Sequence, residues 1–485
     1  MSSEVVHAED ALSRVQQKAS PLYAGRVEVY AKAVKGQFRT IKWAALAILL
    51  GLYYLTPWLR WDRGPGAPDQ AVLVDMAGRR LYFFWIEIWP QEVYFLTGIL
   101  ILAAFGLFLA TSLLGRLWCG FACPQTVWTD LFMQVERWIE GDRAERMRLD
   151  KGPWTRAKIL KRVGKHAVWL LIAFLTGGAW ILYFNDAPTV VREFFTGEAG
   201  VVAYFFVGLF TATTYLLAGF AREQVCTYMC PWPRIQGALV DRDTMAVTYE
   251  AWRGEPRRKY RKGESWEGRG DCIDCKQCVA VCPTGIDIRD GFQLECIGCG
   301  LCIDACDDVM AKVGRPLRLI AYDSERNQEL RAAGREPVYR IVRPRTLLYA
   351  AVLVLVAGVM LAGLGLRSTV DVNILPERSP LFVRLADGSI RNGYTLRVMN
   401  KARSGRAFQL GVAGADALLN LPGQAAHAST VTLLAPPDGV ASHRVYVQLP
   451  PAQVPEEVND ITFVLTDTAT GTANEFASVF RGPKR

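Results

Sequence analysis

Histidine is nearly missing from this sequence, with four residues in all, His7, His166, His427 and His443. A haem held by two imidazoles inside a membrane is therefore excluded. Isolated cysteines are missing too. The twelve cysteines fall in short-spaced groups, and none follows Cys306, which excludes the scattered disulfide framework of a small secreted domain and points to thiols kept in a reducing compartment. The first forty residues are polar and lack the apolar core of a secretory signal peptide, so none is expected. The net charge of +9 is not gathered into a basic patch with interleaved aromatics, so no nucleic-acid partner is expected.

Against these absences stand long apolar runs. With 485 residues, 51% hydrophobic content and a mean hydropathy of +0.13, the chain has room for several domains and is more apolar than an ordinary soluble enzyme. Runs at 41–58, 93–118, 166–184, 201–220 and 347–366 are long enough to cross about 30 Å of hydrocarbon. Pro57 ends the first beside Trp58 and Trp61, at the level where indoles favour the membrane boundary. Lys and Arg crowd ahead of the first run (Arg14, Lys18, Arg26, Lys32, Lys35, Arg39) and between the second and third (from Arg137 and Arg143 to Arg162 and Lys165). The loop after the third offers Arg192 against Asp186, Glu193 and Glu198. The positive-inside rule then places the N terminus inside. Loop 59–92 fits less neatly, since Arg60, Arg63, Arg79 and Arg80 fall on its outer side.

The expected architecture is a multidomain membrane protein of a bacterial inner membrane: a five-span α-helical bundle, a cytoplasmic ferredoxin-like module and a C-terminal β-sandwich. By residue this is a cytoplasmic segment (1–40), four spans with two cysteine pairs at or beyond their cytoplasmic ends (41–225), a cytoplasmic region (226–345) whose cluster module covers 271–310, a fifth span (346–366) and a periplasmic domain (367–485). In the last, 381–385, 394–398, 430–434 and 461–465 read as short strands, with turns at Asp387-Gly388 and Pro436-Pro437-Asp438-Gly439. Trp128, Leu131, Phe132, Val135 and Trp138 read as an amphipathic helix lying on the inner leaflet.

The sharpest chemical signal is Cys272-x2-Cys275-x2-Cys278-x3-Cys282-Pro283, repeated as Cys296-x2-Cys299-x2-Cys302-x3-Cys306. This is the bacterial run for two [4Fe-4S] clusters, in which three thiolates of a tight loop meet one cubane and the fourth reaches the other. Cluster one is then expected on Cys272, Cys275, Cys278 and Cys306, and cluster two on Cys296, Cys299, Cys302 and Cys282. A structural zinc site also accepts four thiolates, but it needs separated CxxC pairs and not a doubled eight-cysteine pattern. Asp307 stands where the first run has Pro283, so the chain is expected to leave Cys306 differently.

A second signal is a weak internal repeat. The second span runs into Arg116-Leu-Trp-Cys119-Gly-Phe-Ala-Cys123-Pro124 and the fourth into Arg222-Glu-Gln-Val-Cys226-Thr-Tyr-Met-Cys230-Pro231. Spacing of i and i+4 puts both sulfurs of a pair on one helical face. Two such pairs meeting across helices make a soft thiolate site suited to Cu(I). The plainer alternative is that these cysteines are small buried hydrophobes. Met229 reads as packing, and His166 as interfacial.

The motifs Gly36-Gln-Phe-Arg39, Trp118-Cys-Gly-Phe-Ala-Cys-Pro-Gln-Thr-Val-Trp-Thr-Asp130, Cys226-Thr-Tyr-Met-Cys-Pro231, Cys282-Pro-Thr-Gly-Ile-Asp-Ile-Arg-Asp-Gly291 and Glu295-Cys-Ile-Gly-Cys-Gly-Leu-Cys-Ile-Asp-Ala-Cys306 resemble the FixG/CcoG (RdxA) family of cbb3-type cytochrome c oxidase accessory proteins. The resemblance covers nearly the whole chain. It implies an immunoglobulin-like periplasmic C-terminal domain and a role in oxidase maturation through reduction of Cu(II) to Cu(I). The partners it implies are the oxidase or its copper-delivery proteins, besides the lipid bilayer and an electron donor that the sequence does not identify. Such a reaction needs no catalytic acid, base or nucleophile. Two other readings stay open: a quinol-linked electron conduit, since the paired CxxxCP helices also resemble the NapH and NosR type, and a copper-binding scaffold that turns nothing over.

Overall fold

The structure is a computed structural model that describes residues 28–64, 66–423, 427–454 and 456–483. His7, Arg14, Lys18 and Arg26 lie outside the described residues. The chain forms two compact units, one built from residues up to 61 with 69–358, the other from 62–68 with 359–485.

Among the described residues five helices are long and apolar enough to cross a membrane: Gln37–Trp58, Pro90–Leu114, Arg156–Leu182, Val201–Ala221 and Pro344–Gly365. All five overlap the expected runs, and the largest shift of a boundary is at the start of the third. The third helix starts at Arg156, so Lys158, Lys161, Arg162 and Lys165 belong to the helix and not to the loop before it. Thr155 explains the early start, because its hydroxyl accepts from the Lys158 N–H at 3.2 Å and caps the first turn. The third and fourth spans cross closely at Gly177, where a Cβ would stand 2.7 Å from the carbonyl oxygen of Val207.

Helix Pro124–Glu140 corrects a second expectation. Phe132 and Val135 are buried against Trp169, Ala173 and Ala218 instead of lying on lipid. The Trp169 ring stacks on Phe132 at 5.1 Å and its indole N–H donates to the Phe132 carbonyl oxygen at 3.1 Å. The polar face is buried too, because Glu136 and Glu140 are matched by Arg146, Lys165 and Arg222. An apolar stripe at helical spacing is equally compatible with lipid and with protein; the buried ion pairs decide for protein. Trp138 alone of the five named residues is strongly exposed.

Loop 59–92 folds into a three-stranded antiparallel sheet of Val72–Asp75, Arg80–Phe83 and Ile86–Ile88. Two of its four arginines form ion pairs, Arg80 with Glu87 at 2.9 Å and Arg60 with Asp186 at 2.6 Å, and Arg63 donates to the Pro68 carbonyl oxygen at 2.7 Å.

The cysteine-rich segment is closed by strands Ala246–Tyr249 and Ile320–Asp323, which pair antiparallel with Ala246 opposite Asp323. Helix Leu301–Val313 carries Cys302 and Cys306 straight through, whereas Cys282 ends the short helix Gln277–Val281 in an extended conformation. The chain does leave the two runs differently, as the contrast of Asp307 with Pro283 implied.

The second unit is a two-sheet sandwich. One sheet orders Leu418–Asn420, Gly439–Leu449, Ile390–Asn400 and Val370–Pro376, with Val383–Arg384 also on Ile390–Asn400; the other orders Val431–Ala435, Arg406–Ala413, Val458–Asp467 and Ala473–Arg481. Alternate residues such as Tyr394, Leu396 and Val398 face the shared core with Phe408, Phe463 and Phe480. The expected strand at 381–385 shrinks to two residues, and four longer strands had no counterpart in the expectation.

Candidate functional site

Each cysteine run begins with a loop that curls through left-handed backbone. Asp274 and Lys276 have φ of 49° and 56°, and the matching Gly298 and Gly300 have 69° and 71°. Alternation of this kind turns successive backbone N–H groups inward and makes a concave cradle for sulfide-rich anionic groups. Gly300 is needed for a second reason, since a Cβ there would sit 2.5 Å from the Phe38 ring.

Two cavities result. The first is lined by Cys272, Cys275, Cys278 and Cys306 with Tyr249, Met310 and Leu319 around them, and measures about 340 Å³ counted out to its mouth. The second is lined by Cys282, Cys296, Cys299 and Cys302 with Val247, Ile286 and Leu301, and measures about 360 Å³ on the same count. Cys278 lies on both walls, so the two cavities are neighbours. Among the described residues no three of His, Cys, Asp or Glu close around one ion. Four thiols spread around a cavity suit a polynuclear core, whose ligands sit at separate corners, better than the tight tetrahedron that zinc requires. Burial pushes the Cys278 thiol up to about 11 and the Cys296 thiol up to about 12, so both sulfurs carry protons until a metal displaces them.

The CxxxCP pairs do not lie on α-helical faces. Trp118–Ala122 and Val225–Met229 are π turns, closed by bonds from the Cys123 N–H to the Trp118 oxygen and from the Cys230 N–H to the Val225 oxygen, both 2.8 Å. Each π turn follows a left-handed break four residues before its first cysteine, at Gly115 (φ 58°) and Arg222 (φ 40°). The internal repeat is therefore structural, and an arginine is held where its copy has glycine. Such strain in a non-glycine residue persists where side-chain contacts enforce it: Arg222 Nε donates to the Gly219 oxygen at 2.7 Å and its other end pairs with Glu136.

The π turn at Cys119 rests on the second cysteine loop. A Cβ on Gly120 would be 2.9 Å from the Ile297 oxygen and 3.0 Å from the Cys299 Cα. Cys119 and Cys226 both pack against the buried group formed by Val281, Ile297, Cys299 and Leu301. Burial, and then the nearby Cys123, Cys226 and Cys230, push the Cys119 thiol up to about 12; burial and then Cys123 and Cys230 push Cys226 up to about 11. The four sulfurs are thus neighbours, Cys230 the exposed one, without forming a closed mononuclear site. Met229 is exposed and does not pack as expected.

Three joints were not recognised from the sequence as parts of the site. Asp304, between Cys302 and Cys306, accepts the N–H groups of Phe38 at 3.1 Å and Arg39 at 2.8 Å, and so caps the first span. Arg39 and Asp130 form a buried ion pair at 2.9 Å, with Lys42 at 3.8 Å. Arg116 donates to backbone carbonyls on both sides of the junction. The motif positions Gly36 to Arg39 and Asp130 carried the signal, and the partner of each was invisible without the fold.

Comparison with known proteins follows the same division. Family models match residues 221–325 (4Fe-4S dicluster domain), 96–141 (4Fe-4S binding domain) and 360–483 (IG-like fold at C-terminal of FixG). The nitrogen fixation protein FixG of Rhizobium meliloti is 48% identical over 96% of this chain and 94% of its own length. The chain belongs to the FixG/RdxA family. Protein RdxB of Cereibacter sphaeroides is 50% identical over 96% of this chain and 98% of its own, and protein RdxA of that organism is 55% identical over 82% and 85%. As a FixG-type protein it is a membrane protein that transfers electrons through iron–sulfur clusters and ends in an immunoglobulin-like domain. The match at 96–141 contains two cysteines, Cys119 and Cys123, too few for a cubane without thiolates from elsewhere.

Proposed function

We propose that the chain is a Cu(II) reductase of the bacterial inner membrane that supplies Cu(I) for assembly of a cbb3-type cytochrome c oxidase. In this reading cluster one is held by Cys272, Cys275, Cys278 and Cys306, cluster two by Cys296, Cys299, Cys302 and Cys282, and copper as substrate by Cys119, Cys123, Cys226 and Cys230. The observation that carries it is the packing of Cys119 and Cys226 on the wall that also holds Cys299, which leaves a short path from cysteine loop to cysteine pair. When bound, the clusters supply single electrons near a protein-set potential. The chain's own part is to hold soft thiolates at the receiving end: thiolate favours Cu(I) over Cu(II), so an ion there is stabilised on gaining one electron. The Lys and Arg distribution supports an orientation with N terminus and clusters in the cytoplasm and the immunoglobulin-like domain in the periplasm.

The test is anaerobic mixing of dithionite-reduced, desalted protein with Cu(II), followed by the EPR signal of the reduced clusters and by a Cu(I)-specific chromophore. One Cu(I) formed per cluster signal lost is the expected result. Cluster signals that persist beside unreduced Cu(II) would leave the scaffold reading in its place.

A further inference from the structure

A cavity of about 930 Å³, counted out to its mouth, opens where the third and fourth spans meet helix Pro124–Glu140; Glu28, Glu136, Arg162, Lys165, His166 and Arg222 are among its walls. We propose that it binds the head group of an isoprenoid quinol, the electron donor to the clusters. The proposal rests on the electron-transfer reading above and names its donor.

Three observations carry it. The first is position. His166 lies on the spanning helix Arg156–Leu182, and on the same helix Ile159, Val163 and Leu170 are exposed at 48%, 60% and 45%. A polar cavity thus adjoins an exposed apolar flank of a helix long and apolar enough to cross a membrane, as a ligand with a polar ring and a hydrocarbon tail requires.

The second is the chemistry of the walls. The His166 ring stacks on Phe220 at 5.9 Å and 11°, and meets Trp169 edge-on at 5.2 Å. Its Nδ1 lies 3.0 Å from the Tyr215 hydroxyl oxygen, and among the described residues Nε2 has no protein partner. An imidazole so fixed presents one ring nitrogen to a quinol hydroxyl, with aromatic faces beside it. The cations are already matched, Lys165 by Glu140 at 3.0 Å, Arg162 by Glu140 at 2.9 Å and Arg222 by Glu136. A neutral head group therefore fits better than a phosphate, which needs surplus positive charge.

The third is continuity. Arg222 also walls a small cavity lined by Cys226, Thr284 and Ile297, and Thr284 and Ile297 in turn wall the cavity of Cys282, Cys296, Cys299 and Cys302. Three cavities with shared walls lead from this flank to the second cysteine set. Oxidation there breaks two O–H bonds of the quinol and forms two C=O bonds of the quinone. The clusters that the two cysteine sets would hold would accept its two electrons one at a time, and its two protons would leave by way of His166 Nε2 to water beside the exposed Glu28 carboxylate.

The experiment uses the anaerobically purified full chain and an azido-substituted decylubiquinone as photolabel, with excess unlabelled decylubiquinone as competitor. Displaceable label is expected on peptides covering 154–169 and 219–222. His166→Leu is expected to saturate at about tenfold higher probe concentration, the scale of one lost hydrogen bond, with wild-type iron and sulfide content, and His166→Gln to regain most of the loss. Label elsewhere, label displaced by phosphatidylglycerol but not by decylubiquinone, or wild-type saturation of a cluster-loaded His166→Leu protein would each overturn the proposal. Should His166→Leu lose its clusters, the label map of the wild-type chain decides. Binding is read without copper, so failure of Cu(II) reduction by dithionite-reduced protein leaves this result separate.

Discussion

Arg116 donates to the carbonyl oxygen of Cys296 at 2.9 Å, although 180 residues separate them. The same buried guanidinium donates to the carbonyl of Leu294 and, at 2.7 Å, to that of Pro233. One side chain at the end of the second span therefore joins the second cysteine loop to the segment that follows the second π turn.

Replacing Arg116 with alanine frees buried carbonyls on both partners, at about 2–5 kcal/mol in total. The expected result is selective loss of the cluster on Cys296, Cys299 and Cys302, so that iron and acid-labile sulfide fall from about eight to about four per chain. Full iron content with an unchanged melting temperature would show the junction to be held by other contacts.

Cys282 and Cys306 each follow one cysteine loop and line the cavity of the other. Cys282→Ala should disturb the EPR signal of the cluster built on Cys296, Cys299 and Cys302, and Cys306→Ala that of the cluster on Cys272, Cys275 and Cys278. The reverse assignment would mean that each run closes on its own cluster.

For the π-turn cysteines, Cys226→Ser with Cys230→Ser should leave iron content intact while lowering Cu(I) retention and Cu(II) reduction at least about tenfold. Normal reduction by a stable chain lacking all four membrane-end cysteines would move copper reduction to an exposed cluster edge.

Asp130 is 1% exposed between Arg39 and Lys42. Burial opposes its ionisation, but Lys42 and Arg39 outweigh burial and hold its carboxyl below the usual value of 3.8. A depressed carboxyl contributes stability that is present above the unfolded pKa and lost as pH falls through the folded one. This pair should therefore contribute undiminished from pH 7 down to about 4 and fade below that. Asp130→Asn should cost about 3–5 kcal/mol at pH 7, since it strands two buried cations, and differential scanning fluorimetry in detergent reads both effects. Equal melting of mutant and wild type at pH 7 would show the cations to be solvated.

Topology is checked with reporters. A fusion after Arg485 should score as periplasmic and one within 253–269 as cytoplasmic. Cytoplasmic behaviour of the first would remove the odd number of crossings, with Gln37–Trp58, at a mean hydropathy of 1.3, the weakest of the five.

What the sequence determined by itself was whatever depends on residues close in the chain. Apolar runs longer than a bilayer is thick identify spans, and the doubled CxxCxxC pattern identifies cluster loops, because three thiolates within seven residues and a turn between them are local facts. Tertiary structure decided what depends on partners far apart. Whether Phe132 and Val135 meet lipid or Trp169, that Asp304 caps the helix after Gly36, that Gly120 rests on Cys299, and that Arg222 takes the left-handed conformation for which its repeat uses Gly115 all follow from elements brought together by folding. Periodicity shows that a face is apolar and spacing shows that thiols are grouped, but neither carries the identity of the surface that will cover them.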